Sequence, residues 1–547
     1  MAGRYQPADW PGADLSLVCE PPSGRAAGDR LSPGHQSKTG SYDPLSTEHL
    51  QQDLTRRSLR GGLIAFGSQA VRFTAQFGGT ILLARMLTPH AFGLVAMIAA
   101  LSILLDLIKE LGLSAATIQR PVITQQQVST LFWINAGFGC LLALALLLAA
   151  PVIAGFYGEP ELTSITRWLG LGFVVSGLTI QHWALLRRQM RFTMIAVIET
   201  GAELLALALA VICALKGAGY WALVVQRVAG PAITLVATWA LCPWRPGLPT
   251  RDAEIADMLR FGGSYTGFNL LAAAARSLDQ VLIGALWGPV VLGFYERAAK
   301  LVLVPLNNLN APLYAVAMPA LSRLESQPER YRHAFLLVFE KFAMVTMPPA
   351  ALAAVTADWV VGLLFGPQWH DAAPFVASFS VAAITLPATM AVALLYLSQN
   401  RSGDMLRAGL ADTAAVATAI LAGLSFGAVG IAVAYAVANL TLRLPLAIWI
   451  GGRQGPVNRR DLAAALLPSL ATAAAVAGSV AALRHTGWLV AAEPLAGLAL
   501  SLGVALPVAF AIFLAIPRSR RILGILRRLP QTIRHGAAPS SLGSAGE

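Results

Sequence analysis

Residues 131–156 read LFWINAGFGCLLALALLLAAPVIAGF, a stretch without one charged side chain. A helix rises 1.5 Å per residue, so about 20 apolar residues cross the roughly 30 Å of hydrocarbon in a bilayer. Lipid offers no hydrogen bonds, and a long uninterrupted apolar run satisfies its own backbone only as a helix. Outward from this span the pattern repeats, giving about fourteen spans between residues 60 and 516. The approximate bounds are 60–86, 90–110, 130–156, 161–186, 191–215, 219–242 and 260–286, then 289–318, 334–356, 372–398, 405–425, 428–450, 462–484 and 489–516. The composition agrees: 56% of residues are hydrophobic, 12% are charged and the mean hydropathy is +0.62, against about a quarter charged in soluble domains. The expected fold class is an all-α polytopic membrane protein. The alternating segments of about 10 residues that mark a β-barrel are not visible.

A formal net charge of +12 would suit nucleic acid in a soluble chain. Here the basic residues fall in every second loop, among them Arg120, Arg187, Arg188, Arg191, Arg323, Arg330, Arg332, Arg401, Arg453, Arg459 and Arg460. The opposite loops offer only Arg85, Lys216 and Arg484. Basic loops stay in the cytoplasm, so the asymmetry predicts two cytoplasmic termini. Residues 1–55 are polar and rich in Gly, Pro and Ser, the composition of a disordered cytoplasmic tail, and no cleavable signal peptide opens the chain. Residues 517–547 read as a basic cytoplasmic tail. Cys19, Cys140, Cys213 and Cys242 show no metal-ligand spacing, so neither a metal nor a disulfide framework is expected. No Walker, dinucleotide or HExxH motif appears. The short neutral outer loops leave no room for a catalytic domain, so the chain is not expected to be an enzyme or to carry a cofactor.

Two halves echo each other at a spacing near 200 residues. Pro89 and Gly93 match Pro289 and Gly293, Phe156-Tyr157-Gly158 matches Leu364-Phe365-Gly366, Glu199-Thr200 matches Asp412-Thr413, and Gly217-Ala218 matches Gly427-Ala428. The alternative is coincidence in a chain with 49 Gly and 32 Pro. Read as a repeat, residues 60–242 form an N-lobe of helices 1–6 and residues 260–450 a C-lobe of helices 7–12. An even-numbered unit makes this a parallel repeat, with a substrate path between lobes. Residues 462–516 add helices 13 and 14.

Charge inside a membrane costs roughly 2.5–3.5 kcal/mol per group on insertion scales and therefore needs a cavity or a partner. Arg72, Arg276, Arg297 and Lys300 are the candidate cavity cations, with Gln76 and Asn269 as polar neighbours. Arginine's planar fork suits phosphate oxygens. The competing reading pairs Arg276 with Asp279 and Lys300 with Glu296 along single helix faces. Glu199 and Glu203 share one side of helix 5, and Asp412 is the repeat partner of Glu199. Each is first a static hydrogen-bonded acid within its lobe; the alternative is exchange of a coupling proton.

The run Leu87-Thr-Pro-His-Ala-Phe-Gly-Leu-Val-Ala-Met97, together with Leu111–Arg120, Gln127–Asn135, Ala184–Phe192 and Ser277–Gly284, resembles the lipopolysaccharide and exopolysaccharide flippases. These are the Wzx-like members of the multidrug/oligosaccharidyl-lipid/polysaccharide superfamily. The likeness covers about residues 60–450. It implies a bacterial inner-membrane location and translocation of an undecaprenyl-diphosphate-linked oligosaccharide across that membrane for surface polysaccharide biosynthesis, by alternating access between the lobes. It also implies membrane lipids, and a polymerase and chain-length regulator, as partners. The alternatives are a multidrug or cation exporter or a lipid II flippase of the same superfamily, and a membrane polysaccharide polymerase or ligase.

Overall fold

The computed structural model describes residues 54–110, 114, 117, 118, 120, 123–250, 256–485 and 493–515; within these, the side chains of 54–66, 107–110, 256–276, 310–313, 315 and 316 are not described. The expected tails at 1–55 and 517–547 lie outside the described residues, apart from the start of the first helix.

Every described element is helical. The first six are α1 (Leu54–Met86), α2 (Pro89–Glu110), α3 (Gln125–Tyr157), α4 (Glu161–Arg188), α5 (Phe192–Leu215) and α6 (Trp221–Leu241). A continuous helical stretch, Ala256–Ser322, breaks at Gly288, where φ is 76° and ψ is −177°. Tyr295 Oη donates to Asp279 Oδ2 at 2.5 Å. Sixteen residues of straight helix would hold these two about 24 Å apart, so the chain reverses at Gly288 and forms two antiparallel helices, α7 (256–287) and α8 (289–322). The positive φ is one that glycine adopts without steric cost.

The chain continues with α9 (Pro328–Val355), the short α10 (Ala357–Leu364), a 3₁₀ turn (Pro367–Ala372), α11 (Ala373–Ala383), α12 (Leu386–Ser398), α13 (Ser402–Leu424), α14 (Gly427–Ala438) and α15 (Leu444–Gly451). The final pair is α16 (Arg459–His485) and α17 (Pro494–Ala515), which packs against α9 and α10.

Among the described residues, eleven helices are long and apolar enough to cross a membrane, or twelve if the bent pair Pro367–Ala383 and Leu386–Ser398 is one span. The protein is a multi-pass membrane protein. The expected count of fourteen is not reached: one of the eleven stretches, Ser277–Leu309, straddles the reversal at Gly288, and α1 is not among them.

Three boundaries differ from expectation for local reasons. α3 begins at Gln125 rather than near 130, because Thr124 and Gln127 form a capping box, with Gln127 N–H donating to Thr124 Oγ1 at 3.2 Å and Thr124 N–H to Gln127 Oε1 at 3.1 Å. The expected single span 372–398 bends by 40° between α11 and α12, where Pro387 removes a helical N–H donor. The expected span 428–450 contains a π turn at Asn439–Arg443.

One buried cluster joins α2 to α8. Leu94 and Ile98 of α2 and Leu292 and Ala298 of α8 are fully buried in one cluster. With no hydrophobic gain from leaving lipid, such contact depends on small residues that let backbones approach. The turns after α5 and before α14 also correspond, with Gly217 at φ 75° and Gly427 at φ 79°.

Candidate functional site

A cavity of about 720 Å³ opens between α1, α2, α4, α5, α6 and α8. Each helix contributes one face at helical spacing: Arg72, Gln76, Thr80 and Leu83 from α1; Glu199, Ala202, Glu203 and Ala206 from α5; Gln226, Arg227, Gly230 and Thr234 from α6; Glu296, Arg297, Lys300 and Val304 from α8. α4 adds Ser176, Thr179 and Trp183. These are polar stripes on otherwise apolar helices, and they converge because lipid would penalise any other orientation.

The lining holds four cations, Arg72, Arg227, Arg297 and Lys300, against three carboxylates, Glu199, Glu203 and Glu296. Two arginines and the lysine are committed. Arg72 pairs with Glu199 and donates through Nη2 to Gln69 Oε1 at 2.5 Å. Gln69 Nε2 in turn donates to Asn308 Oδ1 on α8 at 2.7 Å, so this corner ties α1 to α8. Glu296, whose side chain is 6% exposed, takes Arg297 Nε at 2.6 Å and also pairs with Lys300. A carboxylate this buried is tolerated when paired and hydrogen-bonded. The Arg297 guanidinium also lies 4.4 Å from the centre of the Phe92 ring.

Arg227 is different. It sits in the first third of α6 and lines the cavity with Glu296, Arg297 and Lys300, and it makes no hydrogen bond or ion pair with a described residue. Its side chain is exposed, and its place in the lining makes that exposure an opening onto the cavity. The charges are divided between walls: α6 and α8 carry three cations and one carboxylate, whereas α1 and α5 carry one cation and two carboxylates.

Of the residues singled out in the sequence, Arg72, Gln76, Arg297, Lys300, Glu199 and Glu203 meet in this cavity. The side chains of Arg276 and Asn269 lie outside the described residues. Asp412 is elsewhere: Arg443 Nη2 donates to its Oδ2 at 2.9 Å, and the same arginine donates to Asn439 Oδ1 at 2.7 Å. Its repeat relation to Glu199 therefore does not extend to a shared site. The expected pairing of Arg276 with Asp279 falls outside the described residues; the described partners of Asp279 are Tyr295 Oη and the Gln280 N–H. Glu199 lies on the cavity wall, paired with Arg72. The sequence reading overlooked Arg227, although an arginine inside the apolar run Trp221–Leu241 carries the same signal that exposed Arg72. α4, α5 and α6, which the charge pattern of the sequence did not place at the site, supply much of the wall beside α1, α2 and α8. A separate grouping, His90, Glu159 and Glu161, brings potential metal-ligand atoms within 4.8 Å of one another, with His90 Nε2 3.9 Å from Glu159.

Fold and cavity together define a helical membrane protein built around a charged internal chamber. Residues 82–374 match the family described as polysaccharide biosynthesis protein, and the chain belongs to that family. It is 27% identical over 298 residues to the lipopolysaccharide biosynthesis protein WzxC of Escherichia coli, covering 53% of this chain and 60% of that one. It is 28% identical over 312 residues to the teichuronic acid biosynthesis protein TuaB of Bacillus subtilis, covering 56% and 62%. With the succinoglycan biosynthesis transport protein ExoT of Rhizobium meliloti, identity is 25% over 307 residues, covering 56% and 62%. The chain thus spans about 60% of the length of these curated relatives. Among solved structures, the lipid II flippase MurJ in an inward closed conformation superposes with a TM-score of 0.64 at 11% identity, covering 83% of this chain and 98% of that one. An inward-facing multidrug resistance transporter of the MATE family gives 0.53 at 12% identity, covering 74% and 98%. These likenesses concern the fold.

Proposed function

We propose that this protein is a flippase that carries a lipid-linked oligosaccharide, joined through an anionic diphosphate, across the bacterial inner membrane by alternating access. The observation that carries the reading is Arg227, a cation that faces the cavity uncommitted, beside Arg297 and Lys300. Diphosphate oxygens are the natural ligands for such a wall. The hydroxyl and amide groups of Gln76, Thr80, Ser176, Thr179 and Gln226 suit sugar hydroxyls. The names of WzxC, TuaB and ExoT, each tied to polysaccharide biosynthesis, support the substrate class. An exporter of organic cations would need the opposite surplus of charge in this chamber.

In this reading the chain is a transporter and not an enzyme. Its basic loops and both termini face the cytoplasm, as the loop charges argue, and the α1–α2 turn faces the periplasm. A polysaccharide polymerase and chain-length regulator receive its product. Glu199 and Glu203 carry the exchangeable charge: a diphosphate that engages Arg72 releases Glu199 from its ion pair, and the freed carboxylate takes up a proton.

The test is purified full-length protein in proteoliposomes loaded with a fluorescent undecaprenyl-diphosphate oligosaccharide. Protein-dependent loss of the inner-leaflet pool, absent with Arg227→Ala, supports the proposal. Transport of an organic cation with no movement of the lipid overturns it.

A further inference from the structure

The end of α1 is fastened to the C-lobe by bonds running in both directions. Arg85 donates through Nε to the Leu364 carbonyl at 3.0 Å and through Nη2 to that of Leu363. In return, Gln368 Nε2 donates to the Ala84 carbonyl at 2.8 Å and the Leu87 carbonyl at 3.3 Å. Trp369 Nε1 donates to the Ala84 carbonyl at 2.8 Å. The last carbonyls of a helix lack partners within it. Here Arg85 satisfies the end of α10, Gln368 and Trp369 of the following 3₁₀ turn satisfy the end of α1, and a guanidinium sits where the helix dipole of α10 is negative.

α10 is itself held by the final helix pair. Arg484 of α16 forks onto Asp358 in the first turn of α10, at 2.9 and 2.7 Å, and lies 4.4 Å from the centre of the Trp359 ring. Gly497 of α17 backs onto the same ring, where a Cβ would come within 2.8 Å of it. The fastening also reaches the cavity wall through Phe92. Trp369, fully buried, meets the ring of Phe92 edge-on at 5.4 Å, and Phe92 lines the cavity beneath Arg297.

We propose that Arg85, Gln368 and Trp369 form a latch that shuts the cavity at the α1–α2 end, and that Arg484 is a positioning residue holding α10 in place to close it. The latch rests on the proposed function only in that this end is taken to face the periplasm. The C-terminal helices then brace the gate rather than merely extend the fold, and rocking of the lobes must break this set of bonds.

The experiment uses full-length protein in membranes, with Cys19, Cys140, Cys213 and Cys242 replaced and a reporter cysteine at the cavity position Thr80→Cys. A membrane-impermeant maleimide is applied to one face at a time. The parent should label slowly from the outer face. Arg85→Ala, Gln368→Ala and Arg484→Ala should each raise outer labelling several-fold, with Arg484→Lys intermediate. Gln368→Ala, which removes only two donated bonds, gives the result should Arg484→Ala fail to accumulate. Labelling equal to the parent in Arg85→Ala and Gln368→Ala overturns the latch. A rise confined to the inner face upholds the latch and contradicts the orientation instead.

Discussion

Gly93 and Gly293 pack back to back. A Cβ on Gly93 would strike the carbonyl of Pro289, and one on Gly293 would strike the carbonyl of Pro89 while lying 3.2 Å from the Gly93 nitrogen. Each Pro-x-x-x-Gly segment thus receives the other in the same way. The contact lies where α2 and α8 cross, beside the fully buried Leu94 and Leu292.

Gly93→Ala and Gly293→Ala should each destabilise the protein by about 1–3 kcal/mol, the usual range for overpacking a closely fitted contact. Thermal unfolding of the detergent-purified protein checks this. Melting curves superimposable on the parent's would show that the helices can part without cost.

Arg227→Ala should leave abundance intact, since Arg227 holds no other group in place. Losing one charged hydrogen-bonding partner, about 1.5–3 kcal/mol, weakens anion binding by about tenfold or more. Arg227→Lys should recover part of the loss, because the point charge survives and the planar fork does not. Equilibrium binding of the diphosphate-linked lipid measures both.

Arg297→Ala should behave unlike Arg227→Ala. It leaves Glu296 buried with Lys300 alone, so it should lower folded abundance as well as transport, by the several-kilocalorie penalty of breaking a buried pair. Restoration of abundance in Arg297→Ala with Glu296→Gln checks the cause.

Glu199→Gln should flatten the dependence of transport on pH, because it removes the carboxylate that Arg72 releases. Asp412→Asn, at a site outside the cavity and paired with Arg443, should leave the profile unchanged. Transport rates in vesicles across an imposed pH series decide the matter. An unaltered profile for Glu199→Gln would make that residue a static counter-ion.

The helices were legible because hydrocarbon demands long apolar runs, and the reversal at Gly288 was legible because Gly288-Pro289 interrupts one. The bend before Pro387 and the π turn at Asn439–Arg443 were not, since an apolar run looks the same whether or not its axis is straight. Six of the singled-out site residues share the cavity because intramembrane charge is rare and expensive. Arg227 carried that same mark and was missed by inattention to α6, not for want of signal. Which helices converge is a matter of tertiary packing. Nothing local to α4 or α6 says that they face α8, or that Arg72 would find Glu199 on α5.

The most direct test of the account is the leaflet in which undecaprenyl-linked oligosaccharide accumulates when the host lacks this protein. The account predicts loss of surface polysaccharide with intermediates trapped on the cytoplasmic face, restored by the parent chain and not by Arg227→Ala. Intermediates reaching the periplasmic face without being polymerised would contradict it.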